Sequence, residues 1–224
     1  MHSPAKRKSP GTVVLIEDET MFRDLLKRLC RRRLGLTVAG DVGTAAEGLA
    51  LCRRHQPDFV MLDLNLPDRN GIEIVDELLA ANPRGRILAV SCENDDLTLW
   101  RVLNSGVHGF VDKNHASLED LAQAISEVAD GGVHLPACIQ AARQRLRLDP
   151  RAFTRILTEH ERKVLPLLGC GLTNEDAGKR LQVSPRTVRL HRWQIMAKLD
   201  LHSIKELIRY AVSKGFAKLK DFRG

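Results

Sequence analysis

Short apolar, β-branched runs alternate with amphipathic stretches through the first 131 residues. The runs lie at 13–16, 37–39, 59–62, 87–90 and 109–111, each the length of a strand. Between them, apolar positions recur at helical spacing near 20–33, 44–55, 71–82, 95–105 and 117–130. Strands alternating with helices predict an α/β domain, a parallel sheet joined by right-handed crossovers. Gly131 and Gly132 stop the last of these helices. One more helical stretch is predicted over 136–148, broken by Asp149-Pro150.

From Thr158 onward the pattern is helical throughout. Thr158, three residues before Glu161, forms a capping box and opens a helix to about residue 168. Thr173 caps a short helix over 174–181, and Gln182-Val183 makes a turn. Ser184 caps the next helix, with Pro185 at its first position, and that helix runs to about residue 199. A fourth covers about 203–214. The chain thus reads as a tail (1–10), an α/β domain (11–131), a linker with helical content (132–153) and an all-α four-helix domain (154–219).

Charge sharpens this division. Residues 11–131 carry 13 basic and 20 acidic side chains, net −7, whereas 132–224 carry 19 and 8, net +11. A basic helical domain suits a polyanion, most simply nucleic acid. Hydrophobic content of 43% with 28% charged residues fits a globular chain. No stretch approaches the roughly 20 apolar residues of a membrane helix, and Lys6-Arg7-Lys8 has no apolar run behind it, so a secretory signal is not expected. The five cysteines are odd in number and lack zinc-like spacing, which predicts reduced thiols in a cytoplasmic protein.

In parallel sheets, ligands bind beyond the carboxyl ends of the strands. There the first strand runs into Glu17-Asp18, the third into Asp63, the fourth into Ser91, and the fifth leads to Lys113. Each residue alone has an ordinary explanation as a cap, a turn or a surface charge. Together they place three carboxylates, a hydroxyl and an ammonium at one edge. Clustered carboxylates require a cation. Mg²⁺ takes oxygen ligands and shares a phosphate readily. A carboxylate can attack a phosphoryl group to give an acyl phosphate, with the metal and Lys113 offsetting charge.

The motifs Ile16-Glu17-Asp18, Met61 to Pro67 around Asp63, Asn70-Gly71, Ala89-Val90-Ser91 and Gly109 to Lys113 resemble the receiver domain of two-component signalling. The resemblance implies a flavodoxin-like, doubly wound sheet of order 2-1-3-4-5. It implies that Asp63 accepts the phosphoryl group from a histidine kinase, and that Glu17, Asp18, Asp63 and the Asn65 carbonyl hold Mg²⁺. Ser91 and Lys113 would grip the phosphate, and Phe110 occupies the aromatic switch position, where core packing is the equal alternative. Cys92 follows Ser91 where receivers usually carry a smaller residue.

Two short helices, a tight turn and a basic second helix make a DNA-reading layout. On a helical wheel Val188, Ile195 and Leu199 share one face, and Arg186, Leu190, Trp193 and Ala197 the other, flanked by Arg189 and Gln194. The stretches 157–165, 171–174 and 183–192 resemble the LuxR-type helix-turn-helix, and the whole chain a NarL/FixJ-type response regulator. By that resemblance Arg189, Leu190 and Trp193 face base edges, and Arg186, Thr187 and Arg192 face phosphate. The last helix would pair with its twin through Leu207, Ile208 and Ala211. Double-stranded DNA is the expected partner; the resemblance also admits RNA polymerase and implies a homodimer in the active state. No nucleophile–base set in 132–224 suggests an enzyme output.

Four positions depart from the family pattern: Pro166 inside a helix, Gly178 in the support helix, Trp193, and Asp200 in place of a helix-ending glycine. At this level Trp193 has two equal readings, contact with thymine methyl groups or packing against the receiver. The departures keep two alternatives open: a regulator acting through protein contacts with weak DNA binding, and DNA binding independent of phosphate.

Overall fold

A computed structural model describes residues 11–218. The tail expected at 1–10 lies outside the described residues, as does residue 219. Packing divides the chain into two units, Met1–Asn94 with Arg101–Gln140, and Asp95–Trp100 with Ala141–Gly224.

The first unit is built on five strands: β1 (Thr12–Ile16), β2 (Thr37–Val42), β3 (Phe59–Asp63), β4 (Arg86–Ser91) and β5 (Gly109–Asp112). All pairs are parallel, and the order is β2-β1-β3-β4-β5. Alternation along each strand feeds two hydrophobic layers. Val13, Leu15, Met61, Leu88 and Val90 pack with Leu26, Leu121 and Ile125 on one face. Val14, Ile16, Val60, Leu62 and Ile87 pack with Leu49, Ile74 and Leu78 on the other. A sheet buried on both faces explains the near-continuous apolar strands. β2 extends three residues beyond the segment read from its hydrophobicity, because Gly40 and Asp41 continue the ladder without contributing apolar side chains.

Helices α1 (Thr20–Arg28), α2 (Ala45–His55), α3 (Val75–Ala81) and α5 (Leu118–Ala129) belong to this unit, whereas α4 (Asp96–Asn104) is divided, with Asp96–Trp100 in the second unit. Two of the predicted helices are composite. The 20–33 stretch passes from α1 into a π-helical turn, Leu29–Arg33, and the 71–82 stretch opens with a 3₁₀ turn, Gly71–Ile74. The linker is ordered rather than slack. His134 pairs in parallel with Gly109, its carbonyl accepting the Phe110 amide at 3.0 Å, so the segment covers the β5 edge. It continues into α6 (Ala137–Leu148), in which Ile139 and Ala142 are fully buried.

The second unit holds α7 (Phe153–Ile156), α8 (Glu159–Gly169), α9 (Asn174–Leu181), α10 (Pro185–Leu199) and α11 (Ile204–Ser213). The short α7 carries no pattern of its own; it starts at the last residue read as linker, runs into the segment read as the helical domain, and carries Phe153, which stacks edge-on with Phe216 at 5.0 Å. Within this unit the exposed Arg145 pairs with Asp96 at 2.7 Å. Threonine or serine caps open the four predicted helices: Thr158, Thr173, Ser184 and Ser203 each accept an amide hydrogen three residues on. Helix α8 runs through Pro166 without a break. Gly178 has a packing reason: a Cβ there would lie 2.8 Å from the Val183 carbonyl oxygen, so the α9–α10 turn closes only over glycine. Asp200 takes the left-handed conformation (φ 56°) that a helix-ending glycine would supply, which a short polar side chain tolerates.

Candidate functional site

The strand ends converge as their sequence positions require. Glu17 follows β1 and is 2% exposed; Asp63 closes β3 and is 3% exposed; Ser91 closes β4 and is fully buried. Lys113, the residue after β5, sets its Nζ 2.8 Å from Glu17 Oε2 and 2.9 Å from Asp63 Oδ2. The same ammonium lies over the Phe22 ring at 4.7 Å. Asp18 is exposed at the rim, and ligand oxygens of Glu17, Asp18 and Asp63 all lie within 4.8 Å of one another. Asp63 Oδ1 accepts the Asn65 amide at 3.0 Å, and the Ser91 hydroxyl accepts the Glu93 amide at 3.0 Å.

Three carboxylates against one ammonium leave the pocket short of positive charge. Burial, and then the negative charge of Asp63, push the Glu17 carboxyl up to about 7, with Lys113 pulling the other way. Burial also works against the Lys113 charge, but Asp63 and Glu17 more than offset it and raise its pKa. Such an all-oxygen, electron-rich donor set fits a hard divalent cation. Gly71 completes the geometry. A Cβ there would collide with the Asp63 carbonyl oxygen and come within 3.0 Å of Leu64 Cα, so only glycine lets the loop after β3 fold back beneath the acid. Phe110, read as either core or switch, is fully buried in β5.

Several residues that brace the pocket carried no sequence signal. Arg23 bonds the backbone carbonyl of Glu17 and approaches Asp41 at 3.4 Å, tying the loop after β1 to β2. Asp68 accepts the amides of Ala45 and Ala46 at 2.9 and 3.0 Å, which cap α2 and hold its own carboxyl below the usual range. Asp112 accepts from Asn94 (2.9 Å), the Asn114 amide (2.9 Å) and contacts His115 Nδ1 (2.8 Å). Burial would raise this acid, yet His115 and these donors hold it low. Cys92 is exposed beside the pocket, its carbonyl accepting Asn114 Nδ2 at 2.6 Å. Partial burial raises its thiol pKa despite Lys113, so it is not an activated thiolate. All five cysteines are free.

In the second unit α9, the Gln182-Val183 turn and α10 form the helix-turn-helix. Val188, Ile195 and Leu199 are buried, which fixes the rotation of α10. Arg186, Arg189, Leu190 and Trp193 are exposed, with Thr187 and Arg192 partly so, around an open concavity of about 720 Å³. Beneath it Lys198 Nζ sits 2.7 and 2.8 Å from the two oxygens of Glu161, tying α10 to the first turn of α8.

Known families match both halves. Residues 13–126 match the response regulator receiver domain, and residues 155–211 match bacterial regulatory proteins of the luxR family. The nitrate/nitrite response regulator NarL of Escherichia coli is 30% identical over 200 residues, covering 88% of this chain and 92% of NarL. The chain belongs to the NarL/FixJ-type response regulators.

The BvgA transcription regulator of Bordetella pertussis is 28% identical over 210 residues, covering 92% and 98%. Among solved structures, the RcsB–DNA complex aligns with a TM-score of 0.62 at 19% identity, covering 92% of this chain and 99% of RcsB, and shows the same fold. As a response regulator of this type, the protein couples a receiver to DNA binding and transcription regulation.

The pairing surface read on α11 needs correction. Leu207 (1% exposed) and Ala211 (0%) belong to the core of the second unit, and only Ile208 keeps partial exposure. The helical phase is set by α8: a Cβ at Gly169 would lie 2.5 Å from the Ala211 methyl, so Ala211 must point inward. Ile204, 46% exposed, and Ile208 lie one turn apart on the outer side.

Proposed function

We propose that Asp63 is the phosphoacceptor through which a histidine kinase controls this regulator. The carrying observation is the convergence of Glu17, Asp18 and Asp63 with Lys113 at 2.9 Å from the acceptor carboxylate. An Asp63 oxygen attacks the phosphorus of the kinase phosphohistidine. The N–P bond breaks, and an acyl phosphate forms. Glu17, Asp18, Asp63 and the Asn65 carbonyl are suited to hold Mg²⁺, which when bound neutralises charge on the transferred oxygens. Lys113 and the Ser91 hydroxyl take the phosphoryl oxygens as the new group arrives. Moving Ser91 alters the space beside β5, where Phe110 would respond as the switch.

The output is promoter DNA. Arg189, Leu190 and Trp193 would meet base edges, and Arg186, Thr187 and Arg192 the phosphates. A homodimer would present two copies of α10 to paired half-sites, with Ile204 and Ile208 the available apolar positions on α11. Work on promoter DNA, with RNA polymerase as a further candidate partner, would be carried out in the cytoplasm. Among the described residues no helix is long and apolar enough to cross a membrane.

The test is footprinting of wild type and Asp63→Ala on genomic fragments with and without acetyl phosphate. Phosphate-stimulated protection by wild type alone is expected. Phosphoryl incorporation without any protection would instead mark a regulator working through protein contacts. Equal protection by both would make DNA binding independent of phosphate.

Cys92 gives a second prediction. Cys92 follows the buried Ser91 and is exposed beside the pocket, where its bulk would narrow the approach of water to the acyl phosphate. Cys92→Ala should shorten the acyl-phosphate half-life about threefold, roughly 0.6 kcal/mol in barrier. The decay of phosphoryl label after donor removal measures it, and an unchanged half-life would exclude the shielding role.

A further inference from the structure

The centre of the outer face of α10 is apolar, which is unusual for a surface meant to meet a polyanion. Val188, Ile195 and Leu199 point inward. At 3.6 residues per turn, Leu190, Trp193 and Ala197 fall together on the opposite side. Leu190 is 52% exposed and Trp193 68%, and Ala197 is exposed as well. Among the described residues Trp193 is the one aromatic in the group of large exposed hydrophobics. Scattered apolar exposure needs no cause, whereas a contiguous stripe on a functional face marks what it binds.

Charge selects the occupant. Arg186 opens the stripe, and Arg189 and Arg192 lie along one flank, while α10 contains no acidic residue at all. An apolar protein partner would leave these guanidinium groups facing a dry interface unpaired. Duplex DNA gives them phosphates or guanine edges and offers the stripe a groove floor. In the major groove the apolar feature of a base edge is the C5-methyl group of thymine. The indole N–H supplies one donor and no acceptor, which suits thymine O4 or guanine O6 and rejects the amino groups of adenine and cytosine.

We propose that this regulator reads thymine methyl groups in each half-site, with Trp193 as the specificity-determining residue and Leu190 beside it. The proposal rests on α10 being the DNA-reading helix and names the base class it selects.

In vitro selection from a random duplex library, using the full chain with acetyl phosphate, defines the preferred site. Titrations then compare that site with a copy carrying deoxyuridine for thymidine, which removes only the C5 methyl. Wild type is expected to lose about fourfold in affinity per methyl contacted, about 0.8 kcal/mol. Trp193→Ala should bind the two duplexes equally, with the slope of affinity against salt unchanged because phosphate contacts persist. Trp193→Phe should keep part of the preference. Equal binding of both duplexes by wild type, or full thymine preference in Trp193→Ala, overturns the proposal while leaving DNA binding intact. Absence of salt-dependent binding to any duplex overturns the DNA-reading role of α10, and this proposal with it.

Discussion

Lys113→Met should slow acyl-phosphate formation at Asp63 about a hundredfold and cost the first unit about 3 kcal/mol of stability. The lysine is the only ammonium in the pocket among the described residues, with its side chain 9% exposed between Glu17 at 2% and Asp63 at 3%. Removing it leaves two buried carboxylates facing each other, an uncompensated arrangement worth about 3–5 kcal/mol in comparable sites. The low end applies because Glu17, already pushed up to about 7 by burial and by Asp63, can take a proton instead of bearing the charge. The rate effect has a separate origin. Lys113 holds a fixed positive charge 2.9 Å from the acceptor oxygen, where charge gathers as the phosphoryl group transfers. Loss of one preorganised donor typically costs about 10²–10³ in rate. Urea unfolding with and without Mg²⁺ checks the first effect, and the cation should recover part of the loss because the carboxylates remain. Incorporation of label from acetyl phosphate checks the second. Stability within about 1 kcal/mol of wild type would mean that the lysine merely breaks even with its desolvation.

The pocket was legible in the sequence because of a topological regularity. In a parallel sheet every strand delivers its next residue to the same edge, so Glu17, Asp18, Asp63, Ser91 and Lys113 could be assembled from five separate strand ends. The braces followed no such rule. Asp68 caps a helix 23 residues upstream, and Asp112 gathers Asn94 from another loop; both are single polar residues whose partners depend on how loops close. Gly71 was recognisable as part of a motif, but its reason is the close approach of the Asp63 carbonyl, which depends on how the loop after β3 folds back.

The helical half was legible for a different reason. Thr158, Thr173, Ser184 and Ser203 are local signals, each acting within one turn of its helix. The same locality explains the error on α11. The apolar stripe of α11 is wider than its buried contact, so the pattern does not declare which of its residues pack; Leu207 and Ala211 look as available as Ile204 until Gly169 fixes the contact with α8. The departure at Gly178 likewise has a cause outside the sequence pattern, since a helix-propensity scale cannot register that the α9–α10 turn backbone occupies the space of its missing Cβ.

Lys198→Met should destabilise the second unit by about 2 kcal/mol at pH 7, with the difference shrinking as the pH falls below about 4. Glu161 was legible as a capping-box residue, but its larger role is across the fold. Its side chain is 2% exposed and accepts from Lys198 at 2.7 and 2.8 Å and from the Thr158 amide at 2.7 Å. Burial alone would raise this carboxyl; Lys198 and Thr158 together hold it below the usual 4.5. A depressed carboxyl adds stability that is fully present above the unfolded value and is lost as pH falls through the folded one. In Lys198→Met the acid stays buried without its ammonium, so its pKa rises and the penalty grows with pH rather than falling. Lys198 itself is 37% exposed, which is why the cost is set below that of a fully buried pair. Glu161→Gln should cost less, about 1 kcal/mol, because it strands only a half-exposed lysine and keeps the shape of the cap. Both tryptophans of the chain, Trp100 and Trp193, lie in the second unit, so indole fluorescence in urea follows its unfolding selectively. If the two substitutions cost the same, or if the Lys198→Met difference persists at pH 3, the Glu161–Lys198 pair is not what fixes α10 against α8. Where the pair does hold, Lys198→Met should also weaken DNA binding without touching a base or phosphate contact, because the recognition helix loses its tie to α8.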